Sequence, residues 1–350
     1  MPTSKQSSSN QAINQSSTQL INAHFSSPIE LNNSPTAQPE TVNPNHVFGT
    51  VAIIGRPNVG KSSLLNALLG EHLSITSAKP QTTRHRILGV VTQANFQIAF
   101  ADTPGFQTQH TGAMNQVMNR TVTQSITGVE AAVLVLEAGR YGLADKQVFA
   151  LLPPDLPLIV AINKTDKADN IHELLPFVQR LSEQLPATAY VPVSAKKNHG
   201  LTPLLEAIAA QLPIAPRQFD EDTLTDRNER FLAAERIREK LFRLVGDEIP
   251  FGCAVEIEKW EDEIAKDKQG KPTGIGLKRI FAAVWVEREG HKMIVLGNKG
   301  ERMKRIATES RQDLEQLLNC KIYLEVWVKV RTNWRENSSS LKSLGIEESM

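Results

Sequence analysis

Cysteine is almost missing from this 350-residue chain: Cys253 and Cys320 are its two cysteines, and neither has a near neighbour in the sequence. A disulfide framework and a cysteine-based zinc site are therefore excluded as organising features, and a reducing compartment fits. Aromatic residues are also few, at 5 %. No apolar run approaches the ~18 residues that a membrane span needs. Charge of one sign is lacking too, since 39 Lys and Arg stand against 38 Asp and Glu for a net charge of +1. That balance excludes a uniformly basic coat protein and leaves room for a basic face on one domain. Hydrophobic residues at 40 % and charged residues at 22 % are ordinary for a globular protein. At ~150 residues per domain, the length suggests about two domains.

The first stretch lacks what a core needs. Residues 1–46 are rich in Ser, Asn, Gln, Thr and Pro, and their only charged side chains are Lys5, Glu30 and Glu40. Such a segment cannot offset its chain entropy by burial and reads as a disordered polar tail. It has neither the apolar core of a signal peptide nor the arginines of a mitochondrial presequence. From Val47 the character changes. The apolar run 50–54 ends at Gly55, and similar runs recur at 98–101, 132–136, 158–162 and 189–193. Helical spacing lies between them, at 64–69, 117–126, 174–185 and 201–212. This alternation predicts an α/β domain over 47–212, with a mostly parallel sheet covered on both faces. Runs 87–92 and 96–101 are joined only by Gln93-Ala94-Asn95, too short for a crossover, so they are predicted to form an antiparallel hairpin. Residues 213–227, with two prolines and the acidic run Asp220-Glu221-Asp222, read as a linker. A smaller α+β domain is predicted over 228–335: helix 231–245, strands 254–259 and 280–287, a tight turn at 297–300, helix 303–318 and strand 322–330. Residues 336–350 are left as a C-terminal tail.

The segment Gly55-Arg56-Pro57-Asn58-Val59-Gly60-Lys61-Ser62 has the spacing of a phosphate-binding loop and sits between a predicted strand and helix. Its glycines let backbone N–H groups converge on phosphate oxygens, and the following helix adds its positive N-terminal dipole. Lys61 has the reach to touch the β- and γ-phosphates, the Ser62 hydroxyl suits magnesium, and Ser63 continues the loop. Asp102-Thr103-Pro104-Gly105 follows the run 98–101, with a carboxylate for the magnesium shell at Asp102 and a backbone N–H for the γ-phosphate at Gly105. Asn163-Lys164-Thr165-Asp166 follows the run 158–162. A carboxylate at Asp166 accepts from both the ring N–H and the exocyclic amine of guanine, an edge that adenine does not present. Ser194-Ala195-Lys196 follows the run 189–193 and offers a backbone N–H to the guanine oxygen. Each tetrapeptide is weak alone. Together, in order and each at the carboxyl end of a strand, they point to guanine nucleotides, GTP and GDP.

With these motifs on one chain, everything beyond the tail resembles the translation-factor-related GTPases, and the second domain narrows the resemblance to the Era family. The resemblance implies a switch region at Gln81-Thr82-Thr83-Arg84-His85, in which Thr82 or Thr83 closes over magnesium, with Thr83 preferred. Phe106 stands where many GTPases place a glutamine that orients the attacking water, and Gln107 is offset by one residue. Relatives with an apolar residue there are thought to rely on backbone groups and often on a potassium ion bound through the loop asparagine, here Asn58. A role for Asn58 in loop shape alone stands beside that reading. Slow intrinsic turnover follows from either, with Lys61, Asn58, Thr83 and Gly105 as the catalytic set.

Met293-Ile294-Val295-Leu296-Gly297-Asn298-Lys299-Gly300 resembles the signature of a KH domain, here in the type II order. A G-x-x-G loop lets the backbone approach a sugar-phosphate chain. Lys292, Lys299, Arg302, Lys304, Arg305 and Arg311 cluster around it against Glu301 and Glu309, reading as a basic face between an apolar strand and a basic helix. Trp285, Tyr323 and Trp327 read as core, and Trp334 as an exposed contact. The family resemblance implies binding to the 3′ end of 16S rRNA, assistance to 30S subunit assembly and rRNA processing, a cytoplasmic monomer, and peripheral inner-membrane association. Two rivals stand beside it: an RNA-binding regulator holding nucleotide structurally, and a membrane-associated signalling GTPase.

Overall fold

Along β1 (Val47–Ile54), Val51 and Ile53 face one side while Ala52 and Ile54 face the other, and all four are completely buried. A strand apolar on both faces belongs inside a covered sheet, and that is where β1 lies. The computed structural model describes residues 43–346 except 78, 80–81, 107–111, 168–173, 247–248, 267–268 and 270. The tail reading for residues 1–42, and the readings of Gln81 and Gln107, fall outside the described residues.

The first unit comprises residues 43–226 together with 333–346. Its strands are β1, β2 (Ile87–Thr92), β3 (Phe96–Asp102), β4 (Ala131–Glu137), β5 (Leu158–Asn163) and β6 (Ala189–Pro192), ordered β2-β3-β1-β4-β5-β6. All pair in parallel except β2 with β3, which form the expected antiparallel hairpin with Ile87 opposite Asp102. On one face Val51, Ile53, Val133 and Ile159 pack with Leu64 and Leu65 of α1 (Lys61–Leu69) and with Leu204 and Ile208 of α5 (Leu201–Ala209). On the other, Ala52, Ile54, Leu134 and Ile162 meet Val122 and Ile126 of α2 (Ala113–Ile126), Val148 of α3 (Leu143–Phe149), and Phe177 and Leu181 of α4 (Leu174–Gln184). Each fully buried Ile or Leu contributes about 1.5–3 kcal/mol, so the two apolar layers fix where every strand ends. β1 lies between β3 and β4, the position where chain order reverses and where ligands bind in such sheets. The short α3 was not anticipated; its seven residues are too few to show a period.

The second unit, Arg227–Thr332, has the order α6 (Glu229–Leu244), β7 (Ala254–Lys266), β8 (Pro272–Val286), α7 (Glu289–Leu296), α8 (Glu301–Leu318), β9 (Lys321–Val330). β7 and β8 are antiparallel and β8 and β9 parallel, the latter connected through α7 and α8. Ile237 and Leu241 of α6 and Met303 and Ile306 of α8 pack on Ala282, Val284 and Val286 of β8. This is a KH fold of the type II order. Three readings are corrected. Residues 293–296 are the end of a helix, not a strand: only Val295 is buried, while Met293 and Ile294 are exposed. A run of four apolar residues has no period that distinguishes the two. Trp334 is 1 % exposed rather than a surface contact. The sequence-based division ran the second domain to 335 and left 336–350 as a tail, whereas residues 333–346 pack with the first unit through Trp334, Leu341 and Ile346, all buried. No helix among the described residues is long and apolar enough to cross a membrane.

Candidate functional site

The phosphate loop takes its shape from residues that can hold unusual backbone angles. Asn58 has φ 64° and Gly60 has φ 101°, the left-handed region that glycine enters freely. A Cβ on Gly60 would lie 2.4 Å from Nδ2 of Asn163, so the loop and the base motif meet at a point only glycine fits. Lys61 is buried and folds back across the loop, donating to the carbonyls of Gly55 at 3.0 Å and Arg56 at 3.3 Å. Burial lowers its pKa to about 8, with the Asp102 carboxylate opposing and the Arg56 cation adding to the shift.

Three oxygen donors converge beside it. Ser62 Oγ lies 2.8 Å from Asp102 Oδ2 and 2.7 Å from Thr83 Oγ1. Thr82 turns the other way, its hydroxyl donating to Lys79 O at 2.6 Å. The structure thus separates the two threonines and puts Thr83 with Ser62 and Asp102. Ser74, which belongs to none of the motifs, also donates to Asp102 Oδ2 at 2.8 Å. It is delivered there by Asn66, whose side chain caps the 73–74 turn. Burial raises the Asp102 carboxyl above the usual range, against the pull of Lys61, Ser74 and Ser62 and the Thr103 N–H. Its Oδ1 is buried with no hydrogen-bond partner among the described residues. An orphaned carboxylate oxygen beside two hydroxyls is a hard-donor set that fits magnesium.

A pocket opens over these groups, lined by Pro57, Asn58, Gly60, Lys61, Ser62, Ser63, Thr82, Thr83 and Gly105 and by residues 75–77 and 79. Thr103 is anchored to Ile53 O at 2.8 Å, and a Cβ on Gly105 would come within 2.9 Å of Pro57 Cα, so the segment after β3 lies directly on the phosphate loop. Phe106 packs against the apolar layer of the sheet rather than toward the pocket.

The base motif is built at the end of β5. Asn163 is buried and makes three bonds: Nδ2 to Val59 O at 2.9 Å, and Oδ1 from Lys164 N at 2.8 Å and Ala195 N at 3.1 Å. It joins the phosphate loop to the Ser194–Lys196 segment. Lys164 reaches Asn58 O at 2.6 Å, Thr165 donates to Val193 O at 3.0 Å, and Ser194 Oγ donates to Asp166 Oδ1 at 2.6 Å. That hydrogen bond is the main cause holding the exposed Asp166 carboxyl below its usual range. The sequence reading missed Glu137, at the end of β4. Its carboxylate accepts from Arg56 Nη2 at 3.0 Å and Lys164 Nζ at 3.1 Å, while Arg56 Nε donates to Asp145 at 3.1 Å. The available signal was an acidic residue ending an apolar strand at the ligand edge of the sheet.

In the second unit, Gly297 (φ 74°), Lys299 (φ 47°) and Gly300 (φ 81°) form a left-handed turn between α7 and α8. A Cβ on Gly297 would lie 2.7 Å from Arg302 Cβ. Asn298 and Lys299 in this turn, and Lys304 and Arg305 in the first turns of α8, are exposed. Arg302 folds back to the Ile294 carbonyl, and Arg305 pairs with Glu309 at 2.8 Å. The exposed Met293 and Ile294 border the same turn. Of the aromatics read as core, Trp285 is buried, but Tyr323 is 44 % exposed.

Comparison with known proteins matches both halves. Residues 50–164 match the family described as 50S ribosome-binding GTPase, and residues 248–335 match the KH domain. The chain is 52 % identical over 299 residues to GTPase Era of Bordetella avium (strain 197N), covering 85 % of this chain and 97 % of that one. It is 48 % identical to GTPase Era of Nitrosomonas eutropha (strain DSM 101675 / C91 / Nm57), with the same coverage of each chain. Two solved structures are similar over their whole length. One is Era in complex with MgGDPNP and nucleotides 1506–1542 of 16S ribosomal RNA (36 % identity, TM-score 0.80, 87 % of this chain). The other is a variant of Aquifex aeolicus Era bound to GDP and AlF4− (36 % identity, TM-score 0.79, 86 % of this chain).

Proposed function

Because this chain belongs to the Era family of GTPases, we propose that its second unit binds the 3′ end of 16S rRNA and that the GTP cycle of its first unit times a step of 30S subunit assembly in the cytoplasm. The chain binds and hydrolyses GTP. Each motif has a part in that reaction. Lys61 neutralises the β- and γ-phosphates, and phosphate oxygens there favour the charged form that burial alone disfavours. Ser62, Thr83 and Asp102 are the residues that would hold magnesium, which would supply positive charge to offset that of the phosphates. Asp166 reads the paired donors of guanine, with Ser194 fixing the carboxylate; because the Ala195 N–H goes to Asn163 Oδ1, the Lys196 N–H is the one left to serve the guanine carbonyl oxygen. The nucleophile is water, so no covalent enzyme intermediate forms. Phe106 provides no side-chain group to orient that water, which leaves the backbone at Gly105 and slow turnover. Asn58 is exposed at the pocket mouth, where potassium, when bound, would add charge beside the phosphates. Turnover compared in potassium and sodium decides that point.

The observation that carries the RNA assignment is the left-handed Gly297–Gly300 turn with exposed Lys299 and Lys304 and with exposed Met293 and Ile294 just before it in the chain. Cations there meet phosphates, and the apolar border accepts unstacked bases. The test is fluorescence anisotropy of a labelled RNA carrying the 3′ end of 16S rRNA, titrated with protein bound to GDP or to a non-hydrolysable GTP analogue. A scrambled RNA and a Gly297→Asp, Gly300→Asp variant serve as controls. Specific binding that the variant loses is the expected result; equal binding to both RNAs overturns the assignment.

A further inference from the structure

One short stretch, residues 333–346, touches both the segment that follows the pocket-lining Thr83 and the start of α2. Trp334 and Arg84 are each only 1 % exposed, and the guanidinium carbon of Arg84 lies 5.8 Å from the centre of the Trp334 ring. The next residue, His85, has Nδ1 2.9 Å from the carbonyl of Gly345. Arg84 directly follows Thr83, whose hydroxyl is already set on Ser62 beside Asp102. At the start of α2, Glu336 Oε2 accepts from the N–H of Ala113, the first residue of that helix, at 3.0 Å. Its Oε1 would lie 2.8 Å from a Cβ on Gly112, so the carboxylate sits against the helix start, where its charge meets the positive end of the dipole. Leu341 and Ile346 are buried and anchor the stretch.

We propose that residues 333–346 act as a positioning element for the pocket, holding Thr83 in its magnesium-facing place and so favouring GTP over GDP. The argument is linkage. The stretch can dock this way only while Arg84 and the start of α2 occupy these places, and Arg84 is the chain neighbour of Thr83, so fixing one narrows the positions open to the other. A ligand that engages Thr83 and a segment that fixes Arg84 therefore favour the same state, and each strengthens the other. GTP engages this segment through its γ-phosphate, whereas GDP does not. The stretch follows β9 in the chain, so this part of the first unit is tethered in sequence to the end of the second.

The test uses the full chain with fluorescent GDP and a fluorescent non-hydrolysable GTP analogue, without RNA. A cation–π contact between buried partners corresponds to about two- to thirty-fold in an equilibrium. Trp334→Ala is thus expected to lower the analogue-to-GDP affinity ratio by about tenfold, Trp334→Phe to restore most of it, and Glu336→Ala to lower it by about threefold. GDP affinity itself stays within about twofold of the parent, which also reports that each variant is folded. In the parent chain, amide exchange over residues 338–346 is expected to be slower with the analogue than with GDP. An unchanged ratio in the variants that bind GDP, or equal exchange with the two nucleotides, overturns the proposal. If Trp334→Ala fails to bind GDP, Glu336→Ala and the exchange measurement decide it. The inference rests on the first unit being a nucleotide switch, and a parent chain that failed to bind GDP would sink that reading instead.

Discussion

Replacing Glu137 by glutamine isolates the tie between the two nucleotide loops. The carboxylate takes Arg56 Nη2 at 3.0 Å from the phosphate loop and Lys164 Nζ at 3.1 Å from the base loop, with Arg140 at 3.7 Å. The Glu137, Arg56 and Lys164 side chains are 16 %, 23 % and 23 % exposed, so solvent screens these bonds only in part. A hydrogen bond to a charged group contributes about 1.5–3 kcal/mol, and glutamine keeps one neutral acceptor, so the net loss is about 2 kcal/mol. Without the carboxylate the two loops order as nucleotide arrives, and the ordering cost moves into binding. About 2 kcal/mol corresponds to roughly thirtyfold in the dissociation constant for GDP. Burial pushes the Glu137 carboxyl up, but the hydrogen bonds from Lys164 and Arg56 outweigh it and hold its pKa below 4.5. A depressed carboxylate contributes above its unfolded pKa and is lost as pH falls through the folded value, so the effect should be the same at about pH 6 and about pH 8. The assay is titration of fluorescent GDP with Glu137→Gln, Lys164→Met and the double variant. The double variant should fall short of additivity by about 1 kcal/mol, the share of the loss that belongs to Lys164 rather than Arg56. Unchanged affinity in Glu137→Gln, or strict additivity, would show that the carboxylate does not couple the loops.

Three further outcomes follow from single groups. Lys61 has a pKa of about 8 that bound phosphate raises, so GDP affinity should be flat below that value and about tenfold weaker at about pH 9; a flat titration across the range would mean Lys61 stays charged without nucleotide. Gly60→Ala combines a left-handed φ of 101° with a Cβ 2.4 Å from Asn163 Nδ2. The strain and the lost bond to Val59 together cost about 3 kcal/mol, so GDP binding should weaken about a hundredfold, and binding within tenfold of the parent refutes the close approach. Thr83→Ala should lower the magnesium-dependent affinity for a GTP analogue by at least about tenfold, whereas Thr82→Ala, whose hydroxyl donates to Lys79 O, should change it by less than about threefold. Equal effects of the two substitutions would remove the distinction the geometry makes.

The legible parts of this chain are those in which one residue type is forced by its own backbone. Gly55 and Gly60, the apolar runs ahead of Asp102 and Asn163, and the three-residue connection Gln93-Ala94-Asn95 each carry their structural reason locally. The loop, the hairpin and the sheet could therefore be read before any coordinates. Gln93 N bonds Phe96 O at 2.8 Å, closing that connection as its length requires. The helix 289–296 was misread because its apolar run 293–296 has too few residues to define a period, and because its exposed Met293 and Ile294 obey no core pattern.

What stayed hidden is pairwise and distant. Glu137 is 81 residues from Arg56, Ser74 is 28 from Asp102, and Glu336 is 223 from Ala113. None of these residues is unusual in its own neighbourhood; each becomes functional only when the fold delivers a partner. Trp334 shows the cost of local reasoning most directly. Beside Arg331 and Arg335 in sequence it looks like a surface contact, yet its cation partner is Arg84, and Arg331 instead lies over Trp285 at 4.4 Å. Sequence neighbours set the backbone, while the electrostatic partners of long side chains are set by strand order. The phosphate and base motifs of this GTPase are therefore written in its sequence, whereas the ties that hold them together exist only in its topology.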